Sequence, residues 1–267
     1  MPSPLPAEAR RARLAALVAE EGFVRVTDAG ELFGVSEVTL RSDLSVLEAA
    51  GALRRVHGGA MAAQGEGRES PVEATAERDA EVKRAIGRRA AALVGSGSSI
   101  LLDVGSTTLA VARALVARTE LIDLTVITNG LSIALALEPA IPRFTVVVTG
   151  GTLRPLQHSL VNPLAGQTLA GLHADLAILG CNGIDDEGRV TNLNLPEAEV
   201  KRGMLAAAGA RMLVADGSKA GQRHLGLIAP LAEFGTLVTG GPGSEALRAT
   251  AAAAGTRVVV ADGSALG

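Results

Sequence analysis

Residues 34–47 read Gly34-Val35-Ser36-Glu37-Val38-Thr39-Leu40-Arg41-Ser42-Asp43-Leu44-Ser45-Val46-Leu47. Gly34-Val35 has the composition of a tight turn, and Ser36 is a good helix N-cap because its hydroxyl accepts a free first-turn N–H. Leu40, Leu44 and Leu47 then repeat at i, i+4, i+7, one apolar stripe of a helix that Gly51 ends. Upstream, Leu14, Leu17 and Val18 mark a helix stopped at Gly22, and Thr27-Asp28 signals the cap of a short second helix ending near Phe33. Downstream, residues 53–60 alternate and break at Gly58-Gly59, as in a small β-hairpin. Helix, glycine turn, helix and hairpin together spell a winged helix-turn-helix over residues 1–60.

The polar face of the third helix carries Glu37, Thr39, Arg41, Ser42 and Ser45. In such folds the N-terminal end of this helix reaches base edges, so Arg41 is expected to pair with guanine and Thr39 to meet phosphate or a thymine methyl. Arg10, Arg11, Arg13, Arg54 and Arg55 are the expected phosphate contacts. The same pattern suits a three-helix bundle with solvated arginines, because residues 1–60 hold seven Arg against eight acidic residues.

Residues 61–79 are poor in large apolar side chains and read as a linker. Over 80–267, apolar runs at 99–104, 124–128, 144–149, 176–180, 212–215, 237–239 and 257–261 alternate with Ala-rich helical stretches. Runs that are apolar throughout suit strands covered on both faces, so an α/β domain with a mostly parallel sheet is expected. Ligands of such sheets lie beyond the carboxyl ends of the strands.

Composition narrows the function. Aromatics make up 1% of the 267 residues, with four Phe, no Tyr and no Trp, which excludes a base-stacking platform for single-stranded nucleic acid. The single cysteine, Cys181, excludes an internal disulfide framework and a Cys-based zinc finger. The four His have no partner at i+3 or i+4, so no metal site is expected. No apolar run reaches the ~18 residues of a membrane span, and the start of the chain has neither the basic region nor the apolar core of a signal peptide. A cytoplasmic location is expected. The formal net charge of −3 gives no global basic field. Only three of the 25 basic residues are Lys: Lys83, Lys201 and Lys219.

After the strand at 99–104 comes Gly105-Ser106-Thr107-Thr108 and then a helix. Free N–H groups and the positive end of the helix dipole make that arrangement fit for an anion. An ordinary Ser/Thr helix cap has the same composition. Without a Lys it is no nucleotide-triphosphate loop. Gly241-Pro-Gly243-Ser-Glu-Ala246, with Asp262 beyond, has the spacing of a dinucleotide fingerprint, although Pro242 removes one donor.

The run 35–44, followed by Arg54-Arg55-Val56-His57-Gly58-Gly59-Ala60, resembles the DeoR family of bacterial transcription regulators, and the resemblance extends along the whole chain. It implies DNA contacts at Ser36, Thr39, Arg41, Ser42, Arg54, Arg55, His57 and Arg10. Ser42 stands where the family usually has a second Arg, and Gly30 where it usually has Ala. The second domain of that family is similar to ribose-5-phosphate isomerase. The blocks Asp103–Thr108, Thr128-Asn129, Gly150-Gly151, Gly180–Asp185 and Asp216–Lys219 match the regulator pattern. They imply a phosphorylated-sugar effector held by Asp103, Gly105, Ser106, Thr107, Thr108, Asn129, Gly150, Gly151, Asp185 and Lys219. Asn182 stands where the isomerase has a catalytic acid, and an amide cannot exchange protons in that way. Glu197 and Glu199 are read as exposed helix-start acids. The expectation is therefore a repressor of sugar catabolism, a homo-oligomer (dimer or tetramer) on double-stranded operator DNA, without cofactor. The alternatives are an isomerase-like enzyme and a nicotinamide-nucleotide sensor.

Overall fold

Apolar stripes on short helices and apolar strands covered on both faces build two different kinds of core. The computed structural model describes residues 5–21, 23–50, 52–56, 58–62 and 72–261. The chain divides into two compact units, Met1–Arg68 and Glu69–Gly267.

The first unit contains α1 (Ala7–Glu21), β1 (Phe23–Arg25), α2 (Val26–Phe33), α3 (Glu37–Ala49), β2 (Leu53–Val56) and β3 (Gly59–Ala62). Leu14, Val18, Val26, Phe33, Leu40, Leu44 and Leu53 form its core. Gly34, at φ +64°, closes α2 in the left-handed conformation that a turn between two helices needs. Ser36 caps α3 as expected, accepting the Thr39 N–H at 3.2 Å. Strands β2 and β3 form the expected hairpin, and β1 joins it as a third strand in the order β1-β3-β2. Helix α2 begins at Val26 without a side-chain cap, so the Thr27-Asp28 signal marks its first turn instead.

Residues 61–79 are not linker throughout. Strand β3 runs to Ala62, and α4 (Val72–Glu77) lies near the far end. This short helix is held from outside. Lys83, buried on the next helix, donates its ammonium to the carbonyls of Thr75 and of Arg78 (2.6 Å). Burial pushes the Lys83 amine below the usual lysine range, against the pull of Asp216.

The second unit continues through α5 (Ala80–Ala91), β4 (Ser99–Leu102), α6 (Ser106–Ala117), β5 (Leu124–Thr128), α7 (Leu131–Leu137), β6 (Phe144–Val148), β7 (Thr152–Arg154), β8 (Ser159–Val161) and α8 (Leu164–Ala170). It is completed by β9 (Ala174–Leu179), β10 (Gly183–Ile184), β11 (Arg189–Asn192), α9 (Leu195–Ala206), β12 (Ala208–Asp216), β13 (Gly226–Pro230), β14 (Thr236–Gly240), α10 (Ser244–Ala253) and β15 (Arg257–Val260). Seven strands, those of the seven apolar runs, make one parallel sheet in the order β15-β14-β12-β9-β4-β5-β6. Alternate residues feed two cores. Ile100, Leu102, Val126, Ile178 and Val214 meet Ile86, Val111, Leu115 and Ile133 of α5, α6 and α7. Leu101, Ile127, Leu179, Leu213 and Leu237 meet Leu169, Met204 and Leu247 of α8, α9 and α10. Helices α5 and α6 approach very closely: a Cβ on Gly87 would lie 2.5 Å from the Ala110 carbonyl oxygen. The short antiparallel group β10-β11-β13 and the β7-β8 hairpin stand apart from the main sheet.

Candidate functional site

In the first unit, α3 presents Arg41 and Ser42 to solvent. Among the described residues the Arg41 guanidinium makes only a surface pair with Glu37, at 2.7 Å. Pairs of that kind contribute a few tenths of a kcal/mol and yield readily to a phosphate or a base. The Ser36 and Thr39 hydroxyls lie 3.0 Å apart and bond each other. Arg55 reaches from the wing to Ser45 (2.6 Å), which itself donates to the Arg41 carbonyl (2.8 Å), so the wing is tied to the exposed face of α3. The Arg54 side chain and His57 lie outside the described residues.

Arg10 is a correction. It is buried, donating from Nε to Asp43 Oδ2 at 2.6 Å and from Nη1 to the Leu5 carbonyl at 3.0 Å. It shares the i, i+4, i+8 face of α1 with Leu14 and Val18, which points inward. Its guanidinium therefore neutralises a buried carboxylate of α3 and is not offered to a phosphate.

In the second unit, strand order fixes where a ligand fits. From β4 the chain builds outward to β5 and β6 on one side, then to β9, β12, β14 and β15 on the other. The reversal falls between β4 and β9, and the crevice beyond their carboxyl ends is the favoured binding place in such a sheet. Asp103 stands there, fully buried. Its Oδ2 accepts the Gly180 N–H at 3.1 Å and the ammonium of Lys201, which also donates to the Gly180 carbonyl at 3.1 Å. Burial pushes the Asp103 carboxyl up, against the pull of Lys201. Asp103 Oδ1 has no protein partner.

Helix α6 starts in this crevice. Gly105 precedes it at φ +139°, a conformation that favours glycine. The N–H groups of Ser106, Thr107 and Thr108 come before the first intrahelical donor, Leu109, whose N–H meets the Gly105 carbonyl at 2.9 Å. The Thr108 hydroxyl is committed to the Gly105 carbonyl (2.9 Å), so Thr108 offers its backbone only. The hydroxyls of Ser106 and Thr107 make no hydrogen bond among the described residues. Lys219, half-buried after β12, makes no hydrogen bond or ion pair among them either. Lys219 and Lys201 both act on the thiol of Cys181, which burial pushes up to about 12. Asp216 Oδ1 caps the following turn through the Ser218 N–H (3.0 Å), while its Oδ2 is buried without a partner.

Four of the expected ligand residues have roles in the frame. Asn129 accepts the Val104 N–H at 3.2 Å and donates to the Leu160 carbonyl at 3.3 Å, bracing the loop from behind. Gly151 allows a close approach, since a Cβ would lie 2.3 Å from the Val161 carbonyl oxygen; its neighbour Gly150 turns the chain at φ +70°. Asp185 holds the β10-β11 hairpin, accepting the N–H groups of Glu187 (3.2 Å) and Arg189 (2.9 Å) and the Arg189 guanidinium (2.7 Å). Burial pushes its carboxyl up, but these Arg189 bonds outweigh that and hold it below the usual carboxylate range.

Glu197 is a second correction. It is buried at the start of α9 and receives Arg154, Ser159 and Asn192. Lys201 lies one turn further on the same face, and sequence reasoning assigns it no role. Two charged residues at i, i+4 among the apolar positions Ala198, Val200 and Met204 were the available signal. Asn182 accepts the Leu193 N–H at 2.9 Å, which fixes its amide to the backbone. The loop 241–246 cannot cradle a pyrophosphate in this geometry. The Ser244 and Ala246 N–H groups bond within the loop, and Gly217 packs so closely that a Cβ there would lie 2.0 Å from the Pro242 carbonyl oxygen. Asp262 lies outside the described residues. Among the described residues no cluster of His, Cys, Asp and Glu is placed to hold a metal, and no helix is long and apolar enough to cross a membrane.

Comparison with known proteins follows the same division. Residues 10–65 match the DeoR-like helix-turn-helix domain, and residues 78–241 match the DeoR C terminal sensor domain. The HTH-type transcriptional regulator GlpR of Haloferax volcanii is 36% identical over 237 residues, covering 89% of this chain and 91% of that protein. The HTH-type transcriptional repressor CsqR of Escherichia coli strain K12 is 35% identical over 215 residues, 79% of this chain and 78% of that one. The glycerol-3-phosphate regulon repressor of the same strain is 31% identical over 209 residues, with coverage of 78% and 81%. Among solved structures, ribose 5-phosphate isomerase A from Methanocaldococcus jannaschii aligns with 53% of this chain and 55% of its own at TM-score 0.40 and 17% identity, too distant a likeness to bear on function. The family and these relatives are regulators of transcription, not enzymes. The chain belongs to the DeoR family of DNA-binding transcriptional regulators, with the helix-turn-helix in its first unit and the sensor domain in its second.

Proposed function

We propose that this regulator is a repressor of sugar-catabolism genes in the cytoplasm, bound to operator DNA as a homo-oligomer and released by a phosphorylated sugar. Helix α3 reads the operator through Arg41, with Thr39 and Ser42 beside it, while Ser36 shapes its start and Arg54, Arg55 and His57 serve the wing. Two heads on a repeated half-site make a dimer or tetramer the natural DNA-binding species. The effector's phosphate takes the free N–H groups of Ser106, Thr107 and Thr108 and the Ser106 and Thr107 hydroxyls, and Lys219 supplies the counter-charge. The observation that carries this reading is the unfilled donor set at the start of α6, placed where the strand order reverses. The named role of the E. coli glycerol-3-phosphate regulon repressor agrees with it.

The test is a thermal-shift screen of the whole chain against sugar phosphates and their unphosphorylated parents. Ligand at 100 times its Kd stabilises the folded state by about 2.7 kcal/mol. A phosphorylated sugar that raises the melting temperature and lowers operator retention, while its parent does neither, is the expected result. Equal shifts with phosphate and parent would remove the anion site from the mechanism.

A further inference from the structure

Val38 has no structural reason to be where it is. It is the second residue of α3 and is 75% exposed, more than any other large apolar residue described in the first unit. At about 100° per residue, Val38, Arg41, Ser42 and Ser45 fall within one narrow arc. That arc lies opposite Leu40, Leu44 and the half-buried Leu47, which face the core. A β-branched side chain in a helix loses rotamer freedom, and this one recovers nothing by burial. Its neighbours on that face are charged or hydroxylic, so Val38 forms one apolar point between the Glu37–Arg41 pair and Ser42.

We propose that Val38 reads sequence by packing against the 5-methyl group of a thymine in the major groove. The first turn of the second helix of a helix-turn-helix approaches base edges. The only apolar feature there that separates one base pair from another is that methyl group. Arg41 supplies polar readout of guanine, and Val38 supplies contact specificity for a nearby T·A pair. This rests on α3 being the recognition helix.

The experiment begins with duplexes selected from a random pool by the whole chain. Each thymine of the selected site is then replaced by deoxyuridine, which removes the methyl group and leaves base pairing unchanged. Affinities are compared for wild type, Val38→Ala and Arg41→Ala, with melting temperatures confirming that Val38→Ala folds as wild type does. One invariant thymine per half-site is expected whose replacement weakens wild type about fourfold, the worth of one buried methyl group. Val38→Ala binds the thymine site about as weakly as wild type binds the uridine site, and uridine costs it nothing further. A selected site without an invariant thymine overturns the proposal. So does a uridine penalty equal in wild type and Val38→Ala while Arg41→Ala still loses affinity, in which case α3 remains the reading helix. If Arg41→Ala and Val38→Ala both bind as wild type does, the recognition helix is misassigned and the Val38 contact falls with it.

Discussion

Arg10 and Asp43 form a buried ion pair between α1 and α3, and a buried pair is sensitive to the loss of one partner. Arg10→Ala leaves the buried Asp43 side chain with only the more distant Arg11, 4.0 Å away, at a cost of up to about 3–5 kcal/mol, whereas replacing both Arg10 and Asp43 with apolar residues of similar volume is close to neutral. We expect thermal denaturation to show a large loss for Arg10→Ala and recovery in Arg10→Met/Asp43→Leu. Salt titrations of DNA binding should show the same slope for the double variant as for wild type. Arg41→Ala is expected to leave stability unchanged and to weaken operator binding by about 1–3 kcal/mol, with relaxed base preference; unchanged affinity would refute its role. The Ser36 cap was legible because a hydroxyl before an apolar stripe has one dominant meaning. Arg10 was misread because arginine near DNA suggests phosphate, although its spacing to Leu14 and Val18 already placed it inward. Glu197 reads as exposed, and Lys201 is given no role, because charge on the first turns of a helix normally means solvent.

The five inner parallel strands could be read from sequence because burial on both faces leaves mostly apolar residues, and the edge strands β6 and β15 are apolar although partly exposed. Strands β7, β8, β10, β11 and β13 have only two to five residues, too short or too interrupted by polar residues, Gly and Pro to give such a signal. Yet two of them, β10 and β11, form the hairpin that Asp185 holds. Because the Asp185 carboxyl is held below its ordinary value, its contribution to stability is complete above about pH 3.9 and is lost as pH falls through the lower folded value. Asp185→Asn should therefore melt earlier than wild type at neutral pH, with the gap closing in acid. A gap independent of pH would show that the ion pair with Arg189 contributes nothing. At the start of α6, Thr107→Val should weaken binding of the phosphorylated effector by about 1–3 kcal/mol if the hydroxyl meets a charged oxygen. Lys219→Met should weaken it at least as much. Both variants should hold operator DNA and resist release by effector in a retention assay. A wild-type response from both would move the pocket elsewhere.

Across the whole molecule, reading and sensing lie in separate compact units joined by one stretch of chain. That division makes the contact of α5 with α6 consequential. Gly87→Ala should cost the second unit about 1–3 kcal/mol, because the added methyl group meets the Ala110 backbone, which cannot rotate away as a side chain would. Thermal melts with and without effector would show it, and an unchanged melting temperature would mean that the helices separate freely. Two helices in backbone contact have no soft layer between them to absorb a displacement. They behave as one lever, with one arm ending at the first turn of α6, where we propose that the effector's phosphate binds. The other arm, α5, follows α4 near the start of the second unit. A displacement at the first turn of α6 is thereby carried to the start of α5, which the chain reaches after leaving the first unit.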